Sequence, residues 1–128
     1  MIVAGLGCRR GTPAEGLEAA LILACDHAGI LPASVHALAT GKIKQDEIGL
    51  LDLAKRLGLP LYIVGDQELK AAEPGTRTIS AHSLAQTVSP SLSEAAALAV
   101  AGARATLIVA RVVAEGATCA LAQSEATP

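Results

Sequence analysis

A short apolar run, Ile2-Val3-Ala4, gives way to the octapeptide Gly5-Leu6-Gly7-Cys8-Arg9-Arg10-Gly11-Thr12, and a long apolar-rich segment, 13–28, follows it. That order reads as a buried strand, a glycine-rich turn and a helix. Such a turn presents backbone N–H groups and the positive end of a helix dipole. Two consecutive arginines inside it add full positive charge. The ligand expected at this turn is an anion.

The same alternation continues to the far end of the chain. Thr12 suits an N-cap, Pro13 the first helical position and Glu15 the far end of a T-x-x-E capping box, with Gly29 stopping the helix after Ala28. Residues 35–39 read as a second strand. A polar stretch, 40–47, leads into a helix whose apolar stripe is Leu50, Leu53, Ala54 and Leu57 and which ends at Gly58-Leu59-Pro60. Residues 61–64 read as a third strand, with Asp66 capping a short helix through Ala72. Residues 73–90, rich in Pro, Gly, Ser and Thr, read as a long surface loop. Ser91 and Glu94 form a second capping box, ahead of a helix over 95–101. Residues 106–113 give the strongest strand signal, and Glu115-Gly116 turns them into an antiparallel partner over 117–122. The expected fold is a single three-layer α/β/α domain over 1–123, with a loose tail over 124–128. Its sheet is five-stranded and mostly parallel, with an antiparallel edge hairpin.

Composition narrows the function. The 128 residues carry a formal net charge of −2, and the one aromatic side chain is Tyr62. A broad basic footprint and base-stacking platforms are both missing, which argues against nucleic acid as a partner. Cys8, Cys25 and Cys119 show no CxxC pairing and no metal spacing with His27, His36 or His82, so neither a metal nor a cofactor is expected. An odd, scattered cysteine count fits a reducing compartment. With no signal-peptide features at the N-terminus and no membrane-spanning run, a cytoplasmic location is expected.

In open α/β sheets ligands sit beyond the carboxyl ends of the strands. At that edge the loops 5–12 and 40–47 bring Arg9, Arg10, Lys42 and Lys44. The same cations also suit a solvated surface turn, paired with Asp46 or Glu47. Gly5-x-Gly7-x-x-x-Gly11 approximates a dinucleotide fingerprint, a weak signal alone. No acidic ribose anchor follows the second strand. Lys42 and Lys44 stand near its place and suit a 2′-phosphate, so an NADP-binding module is one alternative. No Gly-Lys-Ser/Thr marks a P-loop, and the position six residues after Cys8 is Ala14, which excludes a C-x5-R phosphatase loop. At a helix N-terminus beside two guanidinium groups Cys8 would have a lowered pKa and some thiolate at neutral pH, while the reading favoured for it is a small residue lining a tight turn. Asp46 and Glu47 suit either capping of the next helix or general acid–base work.

Taken with Ala39-Thr40-x-x-Ile43-Lys44-x-Asp46-Glu47-x-Gly49-Leu50, the octapeptide closely resembles the CobE family and the C-terminal domain of CbiG, of cobalamin (vitamin B12) biosynthesis. The similarity continues through Glu68-Leu69, the 91–98 segment, Leu107-Ile108-Val109-Ala110-Arg111 and Thr118-x-Ala120, and so covers nearly the whole chain. The resemblance implies a role in building the corrin ring. The expectation is binding of an anionic tetrapyrrole, a precorrin or corrinoid, with other cobalamin-pathway enzymes as further partners. Gly7, Cys8, Arg9, Arg10, Gly11 and Thr12 form the expected primary site, with Lys42, Lys44, Asp46 and Glu47 on the neighbouring wall. CbiG-type proteins carry a second domain and are associated with opening a lactone on a cobalt-precorrin. A lactone hydrolase is therefore a further alternative, with Glu47, Asp46 and Cys8 as catalytic candidates, and an interaction subunit without its own ligand is the last.

Overall fold

The computed structural model describes residues 1–77, 79–80 and 89–124. Its strands are β1 (Ile2–Cys8), β2 (Ala37–Gly41), β3 (Leu61–Val64), β4 (Ile79–Ser80), β5 (Ser89–Pro90), β6 (Thr106–Ala114) and β7 (Ala117–Gln123). Its helices are α1 (Ala14–Ala28), α2 (Ile48–Leu57), α3 (Asp66–Ala72) and α4 (Leu92–Ala101). Five strands form one sheet in the order β3-β2-β1-β7-β6, and β4 pairs with β5 separately. β1 runs parallel to β2, and β2 to β3; β7 is antiparallel to both β1 and β6. The hairpin thus enters the sheet by its returning strand, with β6 left at the edge. This is the expected α/β class, and no described helix is long and apolar enough to cross a membrane.

The two faces of the sheet are packed differently. Beneath α1 and α2 the core is leucine-rich, built on Leu6, Leu17, Leu21, Leu38, Leu50 and Leu53. Beneath α4 it is mostly alanine, including Ala37, Ala39, Ala96, Ala97, Ala120 and Ala122. Small side chains let α4 lie close to the strands. At Gly5 the approach is so tight that a methyl group would overlap the Ser93 carbonyl oxygen. Burial of these two layers supplies the main favourable free energy of folding.

Several local expectations need correction. β1 runs on through Gly5, Leu6, Gly7 and Cys8, so half of the octapeptide is strand and the turn begins only at Arg9. Two partner strands and the close contact with α4 override the weak strand propensity of glycine. Thr12 does not cap α1. Pro13 holds that position without a side-chain bond, because the Thr12 hydroxyl donates to the Arg9 carbonyl at 2.8 Å. β2 begins at Ala37, since Pro32–Ser34 forms a 3-10 turn whose bonds engage the Val35 N–H. Gly29 and Gly58 take the left-handed positions ending α1 and α2, as their sequence placement implies. Ser91 caps α4 by accepting the Glu94 N–H, but the Glu94 carboxylate reaches other segments, not back to Ser91. Ser124, placed by sequence in a loose tail, exchanges hydrogen bonds with Met1, while residues 125–128 lie outside the described residues. Of the expected 73–90 loop, Glu73–Gly75 is a 3-10 turn and two short strands follow; residues 78 and 81–88, among them His82, lie outside the description.

Candidate functional site

Beyond the carboxyl ends of β1 and β2 an open cleft of ≈ 900 Å³ separates the Arg9–Pro13 turn from the segment leading into α2. The turn is built from its own backbone. The Arg9 N–H donates to the Gly116 carbonyl in the β6–β7 turn at 3.0 Å, and the Thr12 N–H to the Arg9 carbonyl at 3.1 Å. Gly11 holds a φ of 82°, the left-handed region that a side chain would resist. Its N–H donates to Glu47 Oε2 at 3.2 Å, which ties the turn to the opposite wall. The expected row of open N–H groups is therefore largely used up internally. Among the described residues, the Arg10 N–H is the one in the turn without a protein acceptor.

Across the cleft, Lys42–Lys44 forms a 3-10 turn after β2, and Glu47 precedes α2 as its N-cap residue. The Glu47 side chain makes no capping bond there, because it is engaged by Gly11. At the far end of the cleft, Arg56 of α2 pairs with Glu15 of α1 at 2.8 Å. That hydrogen bond, with the charge of Arg56 behind it, holds the Glu15 carboxyl below its ordinary range.

Six of the ten expected ligand-binding residues meet in the lining: Arg10, Gly11, Thr12, Lys44, Asp46 and Glu47. The other four do not. Gly7 is buried in β1 opposite Thr118, Cys8 ends that strand half-buried, and the exposed Arg9 and Lys42 fall outside the lining. Arg9 and Arg10 thus part company, as successive residues of a turn do. Sequence reasoning missed Ile43, Ile48, Asp52 and Arg56, which also line the cleft. The first two lie within or beside the motif that carries the family resemblance; the other two are spaced four apart along α2 and so share one helical face. The lining holds three basic and four acidic side chains, so the cleft is mixed in charge and not the uniformly cationic pocket expected.

Cys8 is not activated. Burial pushes its thiol above the ordinary range, and the nearby Glu47 carboxylate pushes the same way. Lys44 and the Thr12 hydroxyl act in the opposite direction and do not prevail. The expected thiolate is therefore absent near neutral pH. The glycine pattern is not a phosphate cradle either: Gly5 and Gly7 are interior strand residues, covered by Ser93 and Thr118.

Residues 2–122 match the family model described as Cobalamin synthesis G C-terminus. Over 121 residues the chain is 34% identical to Protein CobE of Sinorhizobium sp, covering 94% of this chain and 79% of that protein. It is also 34% identical over 71 residues to the Cobalt-precorrin-5A hydrolase of Priestia megaterium, though this match spans only 19% of the hydrolase. Among solved structures, that of CobE from the cobalamin (vitamin B12) biosynthetic pathway superposes with a TM-score of 0.89 at 38% identity, covering 100% of this chain and 93% of the other. The cobalamin biosynthesis protein chiG of Agrobacterium tumefaciens str. C58 gives a TM-score of 0.79 at 43% identity, with 98% and 100% covered.

Proposed function

Because the chain belongs to the CobE and CbiG C-terminal family of cobalamin-biosynthesis proteins, we propose that its cleft binds an anionic tetrapyrrole intermediate of that pathway. The observation that carries this reading is the placement of Arg10 and Lys44. They line one cleft from two different loops, which the Gly11–Glu47 hydrogen bond holds in register. Precorrins carry many peripheral carboxylates. A ligand of that kind engages separated donors at once, each charge-assisted hydrogen bond contributing roughly 1.5–3 kcal/mol. Recognition then rests on where the donors stand, since the lining is close to balanced in charge. The packing around Gly5 and Gly7 favours this ligand over a dinucleotide, whose pyrophosphate needs open backbone at those glycines.

The protein mixed with cobyrinic acid, a corrinoid bearing free carboxylates, is expected to shift its visible spectrum and to retain it through gel filtration, while NADP elutes separately. Retention of NADP with no effect on the corrinoid would overturn the reading.

The stretch shared with a cobalt-precorrin-5A hydrolase gives a second reading, lactone hydrolysis. Glu47 and Asp46 are the cleft's candidates for a general base. In that case Glu47→Gln or Asp46→Asn lowers turnover of a lactone-bearing precorrin by about 10²-fold or more. For a binding protein both variants keep their ligand and there is no turnover to lose.

A further inference from the structure

Among the described residues, nine large hydrophobic side chains stand exposed, and two of them, Ile43 and Ile48, line the cleft. Ile43 is 83% exposed on the 3-10 turn and Ile48 is 71% exposed at the first position of α2. Neither belongs to a core cluster. Local structure does not ask for them, since turns and helix starts favour Ser, Asp, Asn and Gly over branched aliphatics. Their immediate company is charged: Lys44 follows Ile43 in sequence, and Arg10 lines the same cleft from the opposite loop. Two exposed isoleucines that share one lining with Arg10 and Lys44, and with the acidic Asp46 and Glu47, complement a ligand that has a broad apolar body and carboxylates at separated points around its edge. A small linear polycarboxylate would use the cations alone and leave the isoleucines wet.

The geometry points to Ile43 and Ile48 as specificity-determining contacts for the ring face of a carboxylated macrocycle, whose peripheral carboxylates reach Arg10 and Lys44. The inference rests on the corrinoid reading above and adds the surface that discriminates a macrocycle from other polyanions. Covering two isoleucines removes apolar area from water, a contribution that salt does not screen, whereas contacts with the exposed Arg10 and the half-buried Lys44 are screened in part.

The test titrates cobyrinic acid into wild type, Ile43→Ser, Ile48→Ser, the double serine variant and the double leucine variant, at low and high salt. Each serine is expected to weaken binding about 10-fold, and the pair about 100-fold, by the same factor at both salt concentrations. The leucine pair is expected to bind like wild type. All the variants should melt with wild type, because exposed positions contribute little to stability. Wild-type binding that survives undiminished in the serine pair overturns this inference and leaves the corrinoid reading standing. Failure of wild type to bind any corrinoid acid overturns both. Wild type that self-associates, with the association lost in the serine pair and corrinoid affinity unchanged, assigns the patch to a second copy and also overturns it.

Discussion

Glu94 and Glu47 each stand at the start of a helix and reach across to backbone N–H groups of a distant segment, but on opposite faces of the sheet and at different depths. Glu94, in the first turn of α4, is completely buried. It accepts the Arg77 N–H at 2.6 Å and the Arg111 N–H at 2.8 Å, so it pins both the segment after α3 and the irregular part of β6. Glu47 is only partly buried and accepts, among the described residues, the Gly11 N–H at 3.2 Å, on the wall of an open cleft. In the dry interior an orphaned N–H carries the full cost of desolvation; at the exposed edge of the cleft, water can take the place of Glu47. One bond is architecture. The other is a solvent-accessible tie between two loops.

The sharpest break between the two faces is expected at Gly5. Adding a methyl there drives it into the Ser93 carbonyl, so Gly5→Ala should lose the cooperative thermal transition of wild type or lower its midpoint severely. A variant that melts normally would mean α4 can retreat, and the close α4–β1 contact would lose its importance. Next is the pair of glutamates themselves. Glu94→Ala strands the Arg77 and Arg111 backbone donors among the described residues and should cost about 2–5 kcal/mol in urea unfolding. Glu47→Gln keeps an acceptor beside Gly11 and should cost less than about 1 kcal/mol. Equal losses would erase the distinction between the two faces.

Much of this architecture is legible in the sequence, and the failures have a common cause. Local signals worked: Gly29 and Gly58 end their helices, Leu50 and Leu53 face the core, and Glu115-Gly116 turns the hairpin. The readings that failed depend on partners far along the chain. Gly5 and Gly7 look like turn residues until α4 and β7 lie against them. Thr12 has the local credentials of an N-cap, but the carbonyls of Arg9 and Gly116 claim its hydroxyl. Glu94 fits a capping box, yet its acceptors serve Arg77 and Arg111. The candidate site shows the same split. Arg10 and Lys44 were identifiable as residues beyond strand ends, whereas the mixed charge of the cleft depends on α2 bringing Asp52 and Arg56 alongside.

A smaller effect sharpens the electrostatics of the cleft. Burial is the main reason the Cys8 thiol is raised, with Glu47 adding to it and Lys44 opposing it. The thiolate is the reactive form, so a raised pKa means slow alkylation that speeds up only as the pH climbs through that value. Glu47→Gln removes one raising influence and should accelerate iodoacetamide labelling of Cys8 a few-fold at about pH 8, moving its pH profile down. Lys44→Gln should move the profile up and slow the reaction. Both shifts are modest because burial remains. Identical profiles in all three proteins would place Cys8 outside the field of the cleft.

The central claim is that Arg10 and Lys44 jointly hold the carboxylates of a tetrapyrrole, and calorimetric titration of cobyrinic acid into wild type and the Arg10→Ala/Lys44→Ala double variant tests it most directly. If each cation contributes roughly 1.5–3 kcal/mol, the double variant should bind about 10²- to 10⁴-fold more weakly while unfolding at the same urea concentration as wild type. A double variant that binds as tightly as wild type would contradict the claim and place the ligand, if there is one, elsewhere on the molecule.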